Sequence, residues 1–134
     1  MEVVSKRART ALAVLRIVTA LLLIEHGALK LVGVPAFGMG GAGDGGNLST
    51  LMLIFGLREV FGGLAVLTGL LTRPVAFLLS AQMALGYWTS HFSGKGVFPM
   101  LVDGDDTILF CFIFLYLAFT GPGAWSVDAW MKRI

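Results

Sequence analysis

The chain has 134 residues, 57% of them hydrophobic and only 13% charged, with ten Lys and Arg against eight Asp and Glu for a net charge of +2. That is the length of one domain carrying more apolar surface than a soluble core of this size can hide, which argues against an ordinary water-soluble globule and points to lipid as the solvent. The basic residues lie scattered beside apolar windows and form no single patch, so nothing supports nucleic-acid binding.

The first apolar window, Ala11 to Val32, follows Lys6, Arg7 and Arg9. A cleaved signal peptide would share that opening, with Val34-Pro35-Ala36 as a rough cleavage site, but Glu25, His26 and Lys30 stand between the apolar run and that site. Residues 38–47 are too rich in glycine to hold a helix and read as a flexible loop; no Lys-Ser/Thr pair follows, as a phosphate-binding loop would need. The second window runs from Leu51 to Leu71, and the third, after the short turn Thr72-Arg73-Pro74, from Pro74 to Phe92. A shorter fourth extends from about Thr107 to Thr120. Each approaches the roughly 20 residues with which a helix crosses about 30 Å of hydrocarbon. Gly121-Pro122-Gly123 should stop the last helix. Beyond it Val127, Trp130, Met131 and Ile134 recur at helical spacing behind a capping Ser126, the pattern of an amphipathic segment lying in an interface. The single Cys111 excludes an intramolecular disulfide and paired-cysteine redox relays.

These windows predict an all-α fold: an integral membrane bundle of four transmembrane helices over residues 1–134, with a short amphipathic C-terminal tail. Lys6, Arg7, Arg9, Arg73, Lys132 and Arg133 fall on one side of such a bundle, while Lys95, Asp44, Asp103, Asp105 and Asp106 fall on the other. The positive-inside rule then puts the N-terminus and the C-terminus in the cytoplasm. Tyr87 and Trp88 at the outer side, and Trp125 and Trp130 at the inner, fit aromatic belts.

Polar residues inside the windows are the most informative, because a charge at the bilayer centre costs about 2.5 to 3.5 kcal/mol on insertion scales. The first window carries Arg16, Glu25, His26 and Lys30, the second Arg58 and Glu59, the third Gln82 and His91. At about 1.5 Å of rise per residue, Glu59 comes out near the midplane, His26 and His91 outward of it, Lys30 at the outer edge and Arg16 inward. Arg16, Gly27 and Lys30 share one narrow helical stripe, and Glu25 points away from Arg16. Glu59, Gly62, Gly63 and Val66 share a face on the second helix, so the carboxylate lies beside small residues that admit another helix. Two readings stay open. In one, Arg16 or Arg58 neutralises Glu59 and the cluster holds the bundle in register. In the other, Glu59, His26 and His91 are the catalytic groups of an outward-facing pocket that binds the oxygens of a quinone or exchanges protons with it. Arg16, Lys30 and Arg58 would then bind the head group and set its local potential. A metal site of two histidines and one carboxylate has no helical ligand motif behind it and is not assigned.

The order of these motifs resembles the DoxX family of small bacterial four-helix membrane proteins over nearly the whole chain. The resemblance is carried by Arg16, His26-Gly27 and Lys30, then Glu59, Gly62-Gly63, Gly69 and Arg73, then His91 with Gly96-Val97-Phe98. Gly121-Pro122-Gly123 with Ser126-Val127-Asp128 closes it. Where the family usually has an Asn-Gly-Glu type of turn before the last span, this chain has Asp103-Gly104-Asp105-Asp106. The resemblance implies a multi-pass protein of the bacterial inner membrane. It also implies quinone as the common thread, since relatives resemble the small subunit of an archaeal terminal quinol oxidase and thiosulfate:quinone oxidoreductase, or parts of complexes answering oxidative and thiol stress. With no haem, flavin or metal motif of its own, such a chain would need a redox partner protein. The leading expectation is a quinone-binding membrane subunit of an oxidoreductase. The others are a non-catalytic anchor or assembly factor for a soluble redox enzyme, and a small-solute or proton pathway. Glycine-rich helix faces leave room for a homo-oligomer.

Overall fold

The computed structural model describes residues 5–32, 50–88 and 104–132. The glycine-rich loop at 38–47, His91, Lys95, Gly96-Val97-Phe98, Asp103, Arg133 and Ile134 lie outside the described residues. Within the described residues all regular structure is helical: α1 (Lys6–Val32), α2 (Thr50–Thr68), α3 (Thr72–Gly86), α4 (Asp105–Thr120) and the short α5 (Val127–Met131).

The helix ends follow from local chemistry that apolar windows do not register. α1 begins five residues ahead of its window because the Ser5 hydroxyl accepts the Ala8 N–H at 3.3 Å and the Ser5 carbonyl accepts the Arg9 N–H. α2 stops at Gly69, whose φ of 74° lets Leu70 N–H return to the Ala65 carbonyl and Gly69 N–H to that of Val66, a Schellman closure. α4 opens with Asp105 and Asp106 in its first turn, where carboxylates complement the positive helix end. The expected Ser126 cap forms: its hydroxyl accepts the Ala129 N–H at 3.1 Å and starts α5.

Packing contacts set a consistent direction. Ala20, Ile24 and Gly27 of α1 meet α2 at Gly63 and Gly56 in descending order, so the two helices are antiparallel. Gly62 of α2 meets Leu79 of α3, and Ser80 of α3 bonds to the Cys111 carbonyl of α4 while Arg73 lies over Gly121. α1 to α4 therefore run alternately up and down, with α1 packed mainly on α2 and α3 mainly on α4. The start of α1, the α2–α3 turn and α5 all lie at one end of the bundle, where Ala124 N–H bonds to the Arg9 carbonyl. The core is small and apolar, made of Ala20, Leu23, Val66, Ala76, Leu79, Met83, Phe114 and Leu117.

Polarity across the bundle is inverted relative to a soluble protein. Arg16, Thr19, Glu59, Thr72, Ser80, Gln82 and Thr107 are buried, whereas Leu21, Phe61, Phe77, Leu85, Leu109, Phe112 and Phe119 are more than half exposed. Large apolar side chains on every helix exterior suit hydrocarbon and not water. α1 is, among the described residues, the helix both long and apolar enough to cross a bilayer by length and composition. α2, α3 and α4 have 19, 15 and 16 residues.

Candidate functional site

The polar interior divides into two clusters. The first joins the last turn of α1 to the middle of α2 and the C-terminal part of α3. Lys30 Nζ donates to Glu59 Oε1 at 2.6 Å, and Gln82 Nε2 donates to the same oxygen at 3.0 Å. Glu59 is 1% exposed and the Lys30 side chain 15%. Gly27 makes this meeting possible. A methyl group there would lie 2.8 Å from both the Glu59 Cβ and the Gly56 carbonyl oxygen, so α1 and α2 touch through backbone. The hairpin joining α2 and α3 then supplies Gln82. Glu59 lies eleven residues before Leu70 and Gln82 eleven after Leu71, so antiparallel helices put them at one height.

The cluster is not internally satisfied. Glu59 Oε2 and Gln82 Oε1 are buried without a hydrogen-bond partner among the described residues. Both are acceptors, and leaving a buried acceptor bare costs about 1 to 3 kcal/mol, more for a charged group. The arrangement calls for a donor: a proton, a water or a ligand hydroxyl. Lys30, with three N–H groups and a single carboxylate partner among the described residues, retains donors for a carbonyl oxygen.

Arg16 forms the second cluster, at the other end of α1. Fourteen residues separate it from Lys30, about 21 Å along a helix, so the shared stripe is real but too long to be one site. Wholly buried, Arg16 donates to the carbonyls of Pro122, of Ala124 at 3.4 Å and of Trp125 at 2.9 Å. It gathers the chain after α4, whose turn back depends on Gly121 and Gly123 at positive φ. The expectation that Arg16 or Arg58 neutralises Glu59 is thus replaced by Lys30. Arg58 is exposed on the next residue round α2, and Arg16 serves carbonyls. His26 sets its ring 6.2 Å from that of Phe110 on α4, tilted by 50°. His91 lies outside the described residues.

Two residues gain importance that sequence reasoning left aside. Gln82 stands in the sequence only as a polar residue in an apolar window, and the hairpin register is the signal that pairs it with Glu59. Asp128 stands in the sequence only as part of the closing motif. Its Oδ1 accepts the Leu71 N–H at 2.8 Å and its Oδ2 the Thr72 N–H at 2.9 Å, while its own N–H bonds to the Gly69 carbonyl. Leu71 itself sits at φ 48°, outside the helix, so α3 is capped by a residue from the far end of the chain.

Comparison with known proteins places this geometry in context. The DoxX family model matches residues 11–92. An uncharacterized protein of Haemophilus influenzae is 40% identical over 119 residues, 87% of each chain. Two proteins of Escherichia coli are also similar: the inner membrane protein YphA, 30% identical over 124 residues and 87% of each chain, and the inner membrane protein YqjF, 37% identical over 78 residues and 58% of each. No solved structure matches the chain.

Proposed function

This chain belongs to the DoxX family, and from that premise we propose that it is a four-span protein of the bacterial inner membrane that binds the head group of a quinone or quinol at the Lys30–Glu59–Gln82 cluster. It would act as the membrane component of a quinone-linked oxidoreductase or oxidative-stress complex. The observation that carries this reading is the buried Glu59 carboxylate, held on one oxygen by Lys30 and Gln82 and without a hydrogen-bond partner on the other among the described residues. The inner-membrane names of YphA and YqjF support the location, and the basic residues at the α5 end support a cytoplasmic placement of both termini.

The donor set fits such a head group. Lys30 can donate to a carbonyl oxygen, and Glu59 Oε2 and Gln82 Oε1 can accept from hydroxyls. A bound quinone would supply the electron-carrying couple, for which the chain's own side chains offer no counterpart. Glu59 would take up and release a proton at Oε2 while Lys30 keeps Oε1 fixed and balances the carboxylate charge. Gly27 holds both groups in place by keeping α1 and α2 in contact. The test is mass spectrometry of organic extracts from protein purified in mild detergent. Near-stoichiometric quinone in the wild type and its loss in Glu59→Gln, with helicity unchanged, are expected. Equal trace amounts in both would overturn the proposal.

A further inference from the structure

We propose a second site, at the α5 end of the bundle: a seat for the head group of one anionic phospholipid, whose phosphodiester is held by Arg73 and Lys132. It lies far from Glu59 and depends only on the membrane placement of the bundle.

A pocket of about 300 Å³ opens there, lined by Leu71, Thr72, Arg73, Pro122, Met131 and Lys132 together with Asp128 and Pro74. Asp128 is the only acidic group among them, and both of its oxygens are already bonded to the backbone N–H groups of Leu71 and Thr72. Arg73 and Lys132 are exposed, and neither forms a salt bridge among the described residues. Arg73 is also positioned: its guanidinium lies over Gly121, where an added methyl group would come within 3.3 Å of Nε. Thr72, which also lines the pocket, is wholly buried, and its hydroxyl has no hydrogen-bond partner among the described residues.

The rest of the lining decides which phosphate fits. A free phosphate ion would satisfy the cations and leave Leu71, Pro122 and Met131 uncovered. A glycerophospholipid puts its phosphodiester on the cations and its glycerol and first acyl carbons on that apolar wall. The same stretch of chain that supplies Pro122, Asp128 and Met131 to the lining also carries the exposed Trp125 and Trp130, as interfacial segments do. Arg73 and Lys132 thus converge from two elements distant in sequence on one interfacial hollow, unlike Lys6 and Arg7, which lie exposed on the first turn of α1 and do not line it.

Native mass spectrometry of the detergent-solubilised protein, offered equal amounts of phosphatidylglycerol and phosphatidylcholine with matched chains, tests the proposal. The wild type should retain phosphatidylglycerol with a preference on the order of tenfold, as two basic groups near an anionic head group suggest. The double substitution R73Q/K132Q should bring that preference to parity, and K6Q/R7Q should leave it standing. Absence of a preference in the wild type would overturn the site, as would its survival in R73Q/K132Q or an equal loss in K6Q/R7Q. Displacement of the lipid by excess inorganic phosphate would overturn the lipid assignment in favour of a free-anion site.

Discussion

Replacing Lys30 by Met removes the cation that holds Glu59 while keeping most of the volume of its stem. At 2.6 Å the pair has a gross attraction of roughly 6 to 7 kcal/mol for an effective dielectric of about 20. Desolvation of both ions offsets most of that attraction. Removing one partner alone leaves the opposite charge buried, and that costs about 3 to 5 kcal/mol. Lys30→Met should fall in this range, because Glu59 is 1% exposed and, among the described residues, keeps only Gln82 as a donor. Glu59→Gln should cost less, about 1 to 3 kcal/mol, since the Lys30 stem can swing the ammonium toward the head groups. The double variant, with no unpaired charge, should return to within about 1 kcal/mol of the wild type. The coupling is then on the order of 5 kcal/mol, measurable by far-UV circular dichroism during titration of mild-detergent micelles with dodecyl sulfate. A coupling below about 0.5 kcal/mol would refute the reasoning, because independent sites add to that accuracy.

Two further outcomes follow from the packing. Arg16→Met should strip the donors from three carbonyls, those of Pro122, Ala124 and Trp125, and raise the rate of proteolysis beyond Gly121 by roughly tenfold or more; an unchanged rate would show that Arg16 does not hold the tail. Gly27→Ala should destabilise the bundle by about 1 to 3 kcal/mol, because a contact of 2.8 Å with the Gly56 carbonyl must open to the 3.4 Å of ordinary van der Waals contact. A denaturation midpoint equal to the wild type's would contradict that close approach.

Much of the fold was legible because each apolar window now holds one helix; the far end of the third window, at Phe92, lies outside the described residues, and other ends moved with local caps. Ser5 extended α1, and Gly69 closed α2 ahead of the expected Leu71. Both are local signals, a hydroxyl before a helix and a glycine after one. The capping of α3 by Asp128 was not legible in the same way, since it joins residues more than fifty positions apart. No propensity or period encodes such a contact. Ser126 was legible and Asp128 was not, although they are two residues apart, because one acts within its own helix and the other across the bundle.

The candidate site divides along the same line. Helical phase correctly put Arg16, Gly27 and Lys30 on one side of α1, but phase says nothing about distance along the axis, and the expected single cluster became two. One of the two open readings paired Glu59 with Arg16 or Arg58, whereas the structure uses Lys30, about a turn beyond Gly27 on the same stripe. Gly27 explains the choice. Where it lets the helices touch, side chains of α1 one turn further on reach across to α2, and Arg16, at the opposite end, meets the returning tail instead. The same contact therefore sets both the stability of the α1–α2 pair and the geometry of the ion pair. A substitution that separates the two helices should loosen the Lys30–Glu59 bond before it unfolds the bundle, so quinone retention, if Glu59 binds it, should fall in Gly27→Ala even in protein that remains folded.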